Sequence, residues 1–428
     1  MSKQQIFPIK VAPACLLKWS WSSVFLNTGT SASCHRTHQY TIDPDNFEEF
    51  HNLPEKITAR ELMLAGKWPG AGCEYCKHVE DVGGISDRIM QLNSQMDPCQ
   101  HPPELDIDAT ATKVTPTILE VYFKNTCNMA CTYCNADLSS RWEDEDRKFL
   151  GHNKNKEIKL AKIDQYNQMV SGLWNYLEKN DTYKILRRYH ILGGEPFLLT
   201  ELDDSIAFWD SHPNINLTFS IITNLNIPTE RFQKYIDKFE RLVLDNKIWK
   251  LQITASLDAW GPQQEYVRYG LDLSLWQRNF ELLVTKPWAT LSINSTMSSL
   301  TIKNMPELIK KINHWNSLRG TEERTLDNVF NEPIQHSFQT VIGNIDDPYI
   351  FGNGVFNTAM DEILSLMPTD NIMQKSAKEH MQSIADALVK SNRKAEQIEK
   401  FKSYLDSLDQ RRNTNGRTLF AWLDNSFE

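Results

Sequence analysis

Ile118–Asn135 reads ILEVYFKNTCNMACTYCN: a strand-like segment that runs straight into Cys127, Cys131 and Cys134. Glu120, Tyr122 and Lys124 share one face of that segment, and the alternate residues are apolar. Three thiolates separated by steps of four and then three residues can hold three corners of an iron–sulfur cube. The fourth iron would then lack a protein ligand and stand open to a second molecule.

Strand and helix alternate outward from this stretch. Residues 113 to 320 give strands at RRYHILGG, NLTFSIITN, WKLQITASLD and TLSINSTMS. Between them, apolar positions recur at helical spacing, as in Ile163, Tyr166, Val170, Leu173, Trp174 and Leu177. Repeated βα units predict a parallel sheet flanked by helices. Five or six units are visible, short of the eight of a full TIM barrel. Fully buried parallel strands read as nearly continuous apolar runs. Here one strand face is instead polar, with Gln252, Thr254, Ser256 and Asp258 on one strand and Ser292, Asn294 and Thr296 on another. Such a face is costly unless it is hydrogen-bonded, so a polar ligand or a satisfied internal network is expected against it.

Residues 1–112 predict a small, loop-rich module. WSSVFLNTGTSASC contains a strand, a turn at Asn27-Thr28-Gly29 and a second short strand ending at Cys34. A short helix around Ile57 and Leu62–Leu64 follows, broken by Gly66, Pro69, Gly70 and Gly72 ahead of Cys73 and Cys76. All eight cysteines of the chain lie within its first 134 residues, a clustering that argues for metal ligation. Cys15, Cys34, Cys73 and Cys76 can close one site, and by ligand type four thiolates suit zinc as well as an iron–sulfur cluster. Cys99, in the Pro-rich DPCQHPP, reads as a spare linker thiol, and His35, His38 and His78 as surface residues. Residues 321–428 predict a charged helical extension with its charges on solvated faces, preceded by a loop, NEPIQHSFQTVIGN, crossing the mouth of the barrel.

Composition narrows the function. The 428-residue chain exceeds one ordinary domain. Its net charge of −9 and pI of about 5.7 give no basic footprint for nucleic acid. No apolar run is long enough for a bilayer, and MSKQQIFPIK is not a signal peptide, so a cytoplasmic location without membrane partners is expected. Neither a phosphate-binding G-x-x-x-x-G-K-S/T nor an H-E-x-x-H metal motif occurs.

C-x-x-x-C-x-x-C with Tyr133 before its last cysteine, LGGEP about sixty residues later and TASLD further on resemble, in kind and order, the motifs of the radical SAM enzymes. The resemblance implies a partial barrel of six βα units and a reduced 4Fe–4S cluster on Cys127, Cys131 and Cys134. It also implies S-adenosylmethionine at the open iron, cleaved by one electron to a 5′-deoxyadenosyl radical that abstracts a hydrogen atom from substrate. Gly193, Gly194 and Glu195 match the family's element for the methionyl ammonium group. Ser256 and Asp258 match its strand-end polar pair, with Ser256 at the ribose, and Arg268 matches the arginine expected at the methionyl carboxylate. Asn224 would line the sugar side and Tyr133 the adenine. The cysteine-rich segment, with G-x-W-P and C-x-x-C followed by S-x-R, is similar to the auxiliary-cluster modules called twitch or SPASM domains, implying a second 4Fe–4S cluster. Those modules usually follow the radical SAM domain, whereas here the module precedes it.

The resemblance points to oxidation or cross-linking of a peptide or small polar substrate, with a flavodoxin- or ferredoxin-like electron donor. The competing readings are a non-catalytic iron–sulfur electron-transfer protein and a zinc-stabilised binding protein. The first explains the cysteines but not LGGEP, Ser256 or the polar strand face; in the second the three-cysteine site is also zinc.

Overall fold

The computed structural model describes residues 14–81, 86, 88–89, 113–151, 163–319 and 332–423; Cys99 lies outside them. Among the described residues nine strands form one sheet: β1 Trp21–Phe25, β2 Thr30–Ala32, β3 Tyr40–Thr41, β4 Ile118–Tyr122, β5 Arg188–Leu192, β6 Asn214–Thr223, β7 Ile248–Ser256, β8 Ala289–Met297 and β9 Gln335–Thr340. Their spatial order is β3-β2-β1-β4-β5-β6-β7-β8-β9. From β4 to β9 each strand pairs in parallel with the next in the chain. The sheet is therefore wound in one direction without a switch point, and its edges are β3 and β9.

The linking helices form where apolar residues recur every three or four positions. They are α1 Pro54–Leu64, α2 Glu74–Asp81, α3 Ser140–Leu150, α4 Ile163–Glu178, α5 Glu201–Ser211, α6 Thr229–Leu244, α7 Leu273–Val284, α8 Met305–Arg319, α9 Asn357–Leu366, α10 Ile372–Val389 and α11 Ala395–Arg412. One apolar core joins the sheet to α4–α8. Leu119, Val121, Tyr189, Ile191, Phe219, Leu251, Ile253 and Leu291 meet Leu173, Trp209, Phe239, Phe280 and Trp315 there. Each of these large side chains contributes about 1.5–3 kcal/mol by leaving water. A second core packs α9–α11 against Met297, Ile302, Met305, Ile309 and Phe338.

The structure departs from the sequence reading in three places. Part of NEPIQHSFQTVIGN is not a loop: Gln335–Thr340 pairs along β8 as β9. Ile334 and Phe338 are buried while Ser337 and Gln339 are exposed, the period-two pattern of an edge strand. The sheet also crosses the expected boundary at residue 112. β1 lies parallel to β4 in the register Trp21↔Ile118 to Phe25↔Tyr122, so the N-terminal hairpin extends the main sheet. Finally, the charges of α11 are not all on a solvated face, because Arg412 is buried.

Candidate functional site

The cysteine loop leaves β4 and is strapped from several sides. Ser139 caps α3, accepting from Trp142 N at 3.3 Å while its hydroxyl donates to Met129 O at 2.6 Å. Trp142 Nε1 donates to Cys131 O at 2.8 Å, and Cys127 N donates to Ser140 Oγ at 3.1 Å. Ala130 N and Thr132 N donate to Tyr269 O and Val267 O at 2.9 and 2.8 Å. The α11 hydroxyl of Tyr404 donates to Thr132 O, between Cys131 and Tyr133. Arg412 lies over the rings of Trp142 and Tyr269 and pairs with Glu145 at 3.1 Å. Nothing in the sequence pattern of α11 singled out these straps.

Cys131 is buried, and Cys127 and Cys134 are half-buried. Burial pushes the Cys127 and Cys134 thiols up to about 12, and neighbouring thiols push the same way. Bound metal reverses this by stabilising the thiolate. Among the described residues, no three His, Cys, Asp or Glu side chains are gathered to hold one metal ion. A four-iron cube asks something different: three thiolates on one loop, set farther apart than the ligands of a single ion. The donor set, sulfur alone with neither carboxylate nor imidazole, suits such a cluster.

The loop after β5 docks onto the cysteine loop. Glu195 N donates to Thr126 O at 2.8 Å. Gly194, at φ +60°, lies so close that a Cβ would stand 2.4 Å from Thr126 O; at Gly193, φ +86°, it would stand 2.6 Å from Tyr122 Cδ1. The two glycines thus serve the approach of one loop to the other. The Glu195 carboxylate is fully buried. It accepts from Thr223 Oγ1 and Asn224 N, both at 2.7 Å, and from Phe197 N at 3.0 Å. It ties the end of β5 to the end of β6, and burial lifts its carboxyl to about 7 against those donors. Asn224 Nδ2 donates to Asn128 Oδ1 at 2.9 Å and stands 3.8 Å from Cys127 Sγ.

Asp258, fully buried beyond β7, is a hub. It accepts from Arg268 Nε and an Arg268 terminal nitrogen, each at 2.8 Å, from Tyr133 Oη at 2.7 Å and from Thr296 N at 2.8 Å. One edge of the buried Arg268 guanidinium is therefore engaged by Asp258 within the protein, and the same carboxylate holds the Tyr133 hydroxyl against the strand ends. Gln264, which the sequence did not single out, braces the same turn by accepting from Asp258 N and Ala259 N. Ser256 is buried one step below, opposite Asn294.

The polar strand faces come into register. Ser23, Glu120, His190, Ser220, Gln252 and Thr290 form one row across six strands. Thr254, Ser292 and Gln335 lie on the row two residues above. Part of the row is an internal network: Arg188 donates to Ser220 Oγ and Gln252 Oε1 at 3.0 Å each, and Ser23 donates to Glu120. His190 is buried with neither ring nitrogen hydrogen-bonded, and Glu120 Oε1 is 3.8 Å from its Nδ1. A pocket opens at the carboxyl ends of β1, β4 and β5, lined by Phe25, Asn27, Tyr122, Lys124, Gly193 and Gly194 among others.

Cys15, Cys34, Cys73 and Cys76 come from three separate segments and line a single pocket. Burial raises Cys15 to about 12 and also raises Cys73. His35, His38 and His78 are exposed, although His35 reaches the pocket rim. Neither a protein-family model nor a curated protein matches the chain.

Proposed function

We propose that this chain is a radical SAM enzyme with an auxiliary iron–sulfur site, acting as an oxidoreductase or maturase on a peptide or small polar substrate. One observation carries the reading. The C-x-x-x-C-x-x-C loop follows the first of six consecutive parallel strands, and the Gly193-Gly194-Glu195 backbone is hydrogen-bonded onto it. Six such strands with helices on one face suit a partial barrel, whose reactive site lies at the carboxyl ends of the strands. When bound, the 4Fe–4S cluster and S-adenosylmethionine would supply the radical chemistry.

The chain's own residues then have separable tasks. Cys127, Cys131 and Cys134 hold the cluster. Glu195 keeps the glycine loop against the cysteine loop, so backbone groups there meet an incoming ammonium. Asp258 orients Tyr133 and Arg268, and the remaining guanidinium edge serves a carboxylate. Trp142, Arg412 and Tyr404 close the outer side of the loop against water. The polar row around Glu120 and His190 presents hydrogen-bonding groups to a substrate inside the sheet's curve.

The test is anaerobic purification. Brown protein with about eight irons per chain, as two four-iron clusters require, and release of 5′-deoxyadenosine on reduction with S-adenosylmethionine are expected. Cys131→Ala should abolish the release, whereas Cys73→Ala should spare it and lose substrate turnover. A colourless protein holding only zinc would overturn the proposal.

A further inference from the structure

We propose that Lys18 sets the electron affinity of the four-cysteine site, making it an electron acceptor that is easier to reduce than its thiolates alone would allow. This rests on the reading that the pocket holds a 4Fe–4S cluster. The described residues of the pocket wall are the four cysteines, Lys18, Arg36, Arg88, His35 and neutral side chains, with no carboxylate. Arg88 is already compensated by Glu80 at 2.6 Å, and the Arg36 guanidinium lies over the Tyr75 ring at 4.3 Å. Lys18 is different. It is 5% exposed, on a single helical turn, Leu17–Ser20, directly after Cys15, and its backbone N donates to Cys15 O at 3.0 Å.

Its ammonium stands beside Cys73. Lys18 and Cys73 line the same pocket wall, with the Lys18 side chain within hydrogen-bond reach of that sulfur. Behind Lys18 the surroundings are cationic, because Lys56 is near and Arg60 donates to Lys18 O at 3.3 Å. A buried ammonium is costly unless an opposite charge faces it. Within this pocket the thiolates are the opposite charge.

Four thiolates around a cluster make an anionic group, and reduction adds one more negative charge. A fixed cation in low dielectric stabilises the reduced form more than the oxidised one. Hydrogen bonds and charge at the sulfurs are among the factors that set iron–sulfur potentials. The reduction takes up one electron and no proton, and makes and breaks no bond. The electron comes from the substrate-centred radical left after hydrogen-atom removal. That radical loses one electron and one proton to complete a two-electron oxidation, and a one-electron carrier protein of the flavodoxin or ferredoxin class reoxidises the site.

The experiment uses the full chain carrying Cys127→Ala, Cys131→Ala and Cys134→Ala, so that only the four-cysteine site contributes. Metal analysis comes first. Zinc without iron in this protein overturns the cluster reading itself, before any potential is measured. With about four irons per chain, the midpoint is read by electron paramagnetic resonance during a redox titration. Lys18→Met is expected to lower the reduced-to-oxidised ratio at fixed potential about tenfold, equal to about 59 mV for a one-electron couple. Lys18→Arg should hold the parent value, and Arg36→Gln should give a smaller fall. Full iron with an unchanged midpoint in Lys18→Met overturns the proposal and leaves the cluster reading standing. Should Lys18→Met not hold iron, Lys18→Gln and Arg36→Gln are titrated in its place, and parental midpoints in both overturn it equally.

Discussion

At Gly194 two demands meet: a left-handed backbone, and an approach too close for any side chain. A Gly194→Ala variant would add about 1–2 kcal/mol of backbone strain to a clash with Thr126 O. The loop is expected to lift from the cysteine loop, lowering the unfolding midpoint and loosening iron on Cys127, Cys131 and Cys134. Chemical denaturation and the rate of iron loss to a chelator check this; wild-type values in both would show the contact to be dispensable. Glu195 tests the same junction through pH. Its carboxyl lies at about 7 in the folded protein against an ordinary 4.5, because burial outweighs three donors. A raised folded value stabilises the fold fully below the unfolded value, and the contribution is lost as pH rises toward about 7. Glu195→Gln removes that dependence and turns an amide NH2 toward donors, at a cost of about 1–3 kcal/mol. The stability gap between wild type and variant is expected to be wider at about pH 5 than at about pH 8. Equal gaps in urea unfolding at the two pH values would contradict the assignment.

At the scale of elements, α11 is the unexpected participant. Its exposed residues read as a solvated charged helix, yet Tyr404, Leu408 and Arg412 press onto the cysteine loop. Tyr404→Phe deletes one hydrogen bond, worth about 0.5–1.5 kcal/mol, at the peptide between Cys131 and Tyr133. Faster amide hydrogen exchange at Thr132 and Tyr133 is expected, with little change elsewhere in the sheet. Unchanged exchange would mean that the Val267 and Tyr269 straps suffice alone. The edge strand β9 makes a related point. Its alternation was present in the sequence, but Pro333 and the polar residues around it read as loop signals. Pairing along β8 decided the matter.

For the whole molecule, the main consequence is that the cysteine-rich N-terminal region and the parallel sheet are one body. β1 covers the edge of β4, and Lys56 braces the hairpin from within by donating to Ser22 Oγ and Phe50 O at 3.2 and 2.8 Å. A chain shortened to begin at residue 113 would expose β4 as an apolar edge strand, an invitation to intermolecular pairing. It is expected to elute from size exclusion as aggregate; a stable monomer with wild-type secondary structure would show the two regions to be separable. The shared sheet also sets the four-cysteine pocket apart from the cysteine loop: the pocket packs with Trp21 and Ile118 at the amino ends of β1 and β4, and the loop follows the carboxyl end of β4.

Much of this was legible in residue order. The βα alternation from Ile118 to Arg319, the polar strand faces and the two groups of cysteines follow from local spacing, because strand and helix periods are properties of neighbouring residues. The glycine pair and Glu195 were visible as a motif, but their work was not: the glycines admit a second backbone, and Glu195 is consumed in bracing it. Arg268 reads as the partner of a ligand carboxylate, and only the fold brings the Asp258 carboxylate against it. The convergence of Cys15 and Cys34 with Cys73 and Cys76, the row from Ser23 to Thr290 and the hold of Tyr404 and Arg412 on the loop each join residues far apart in the chain. Contacts of that kind are set by strand register and helix packing, and residue order alone carries no measure of either.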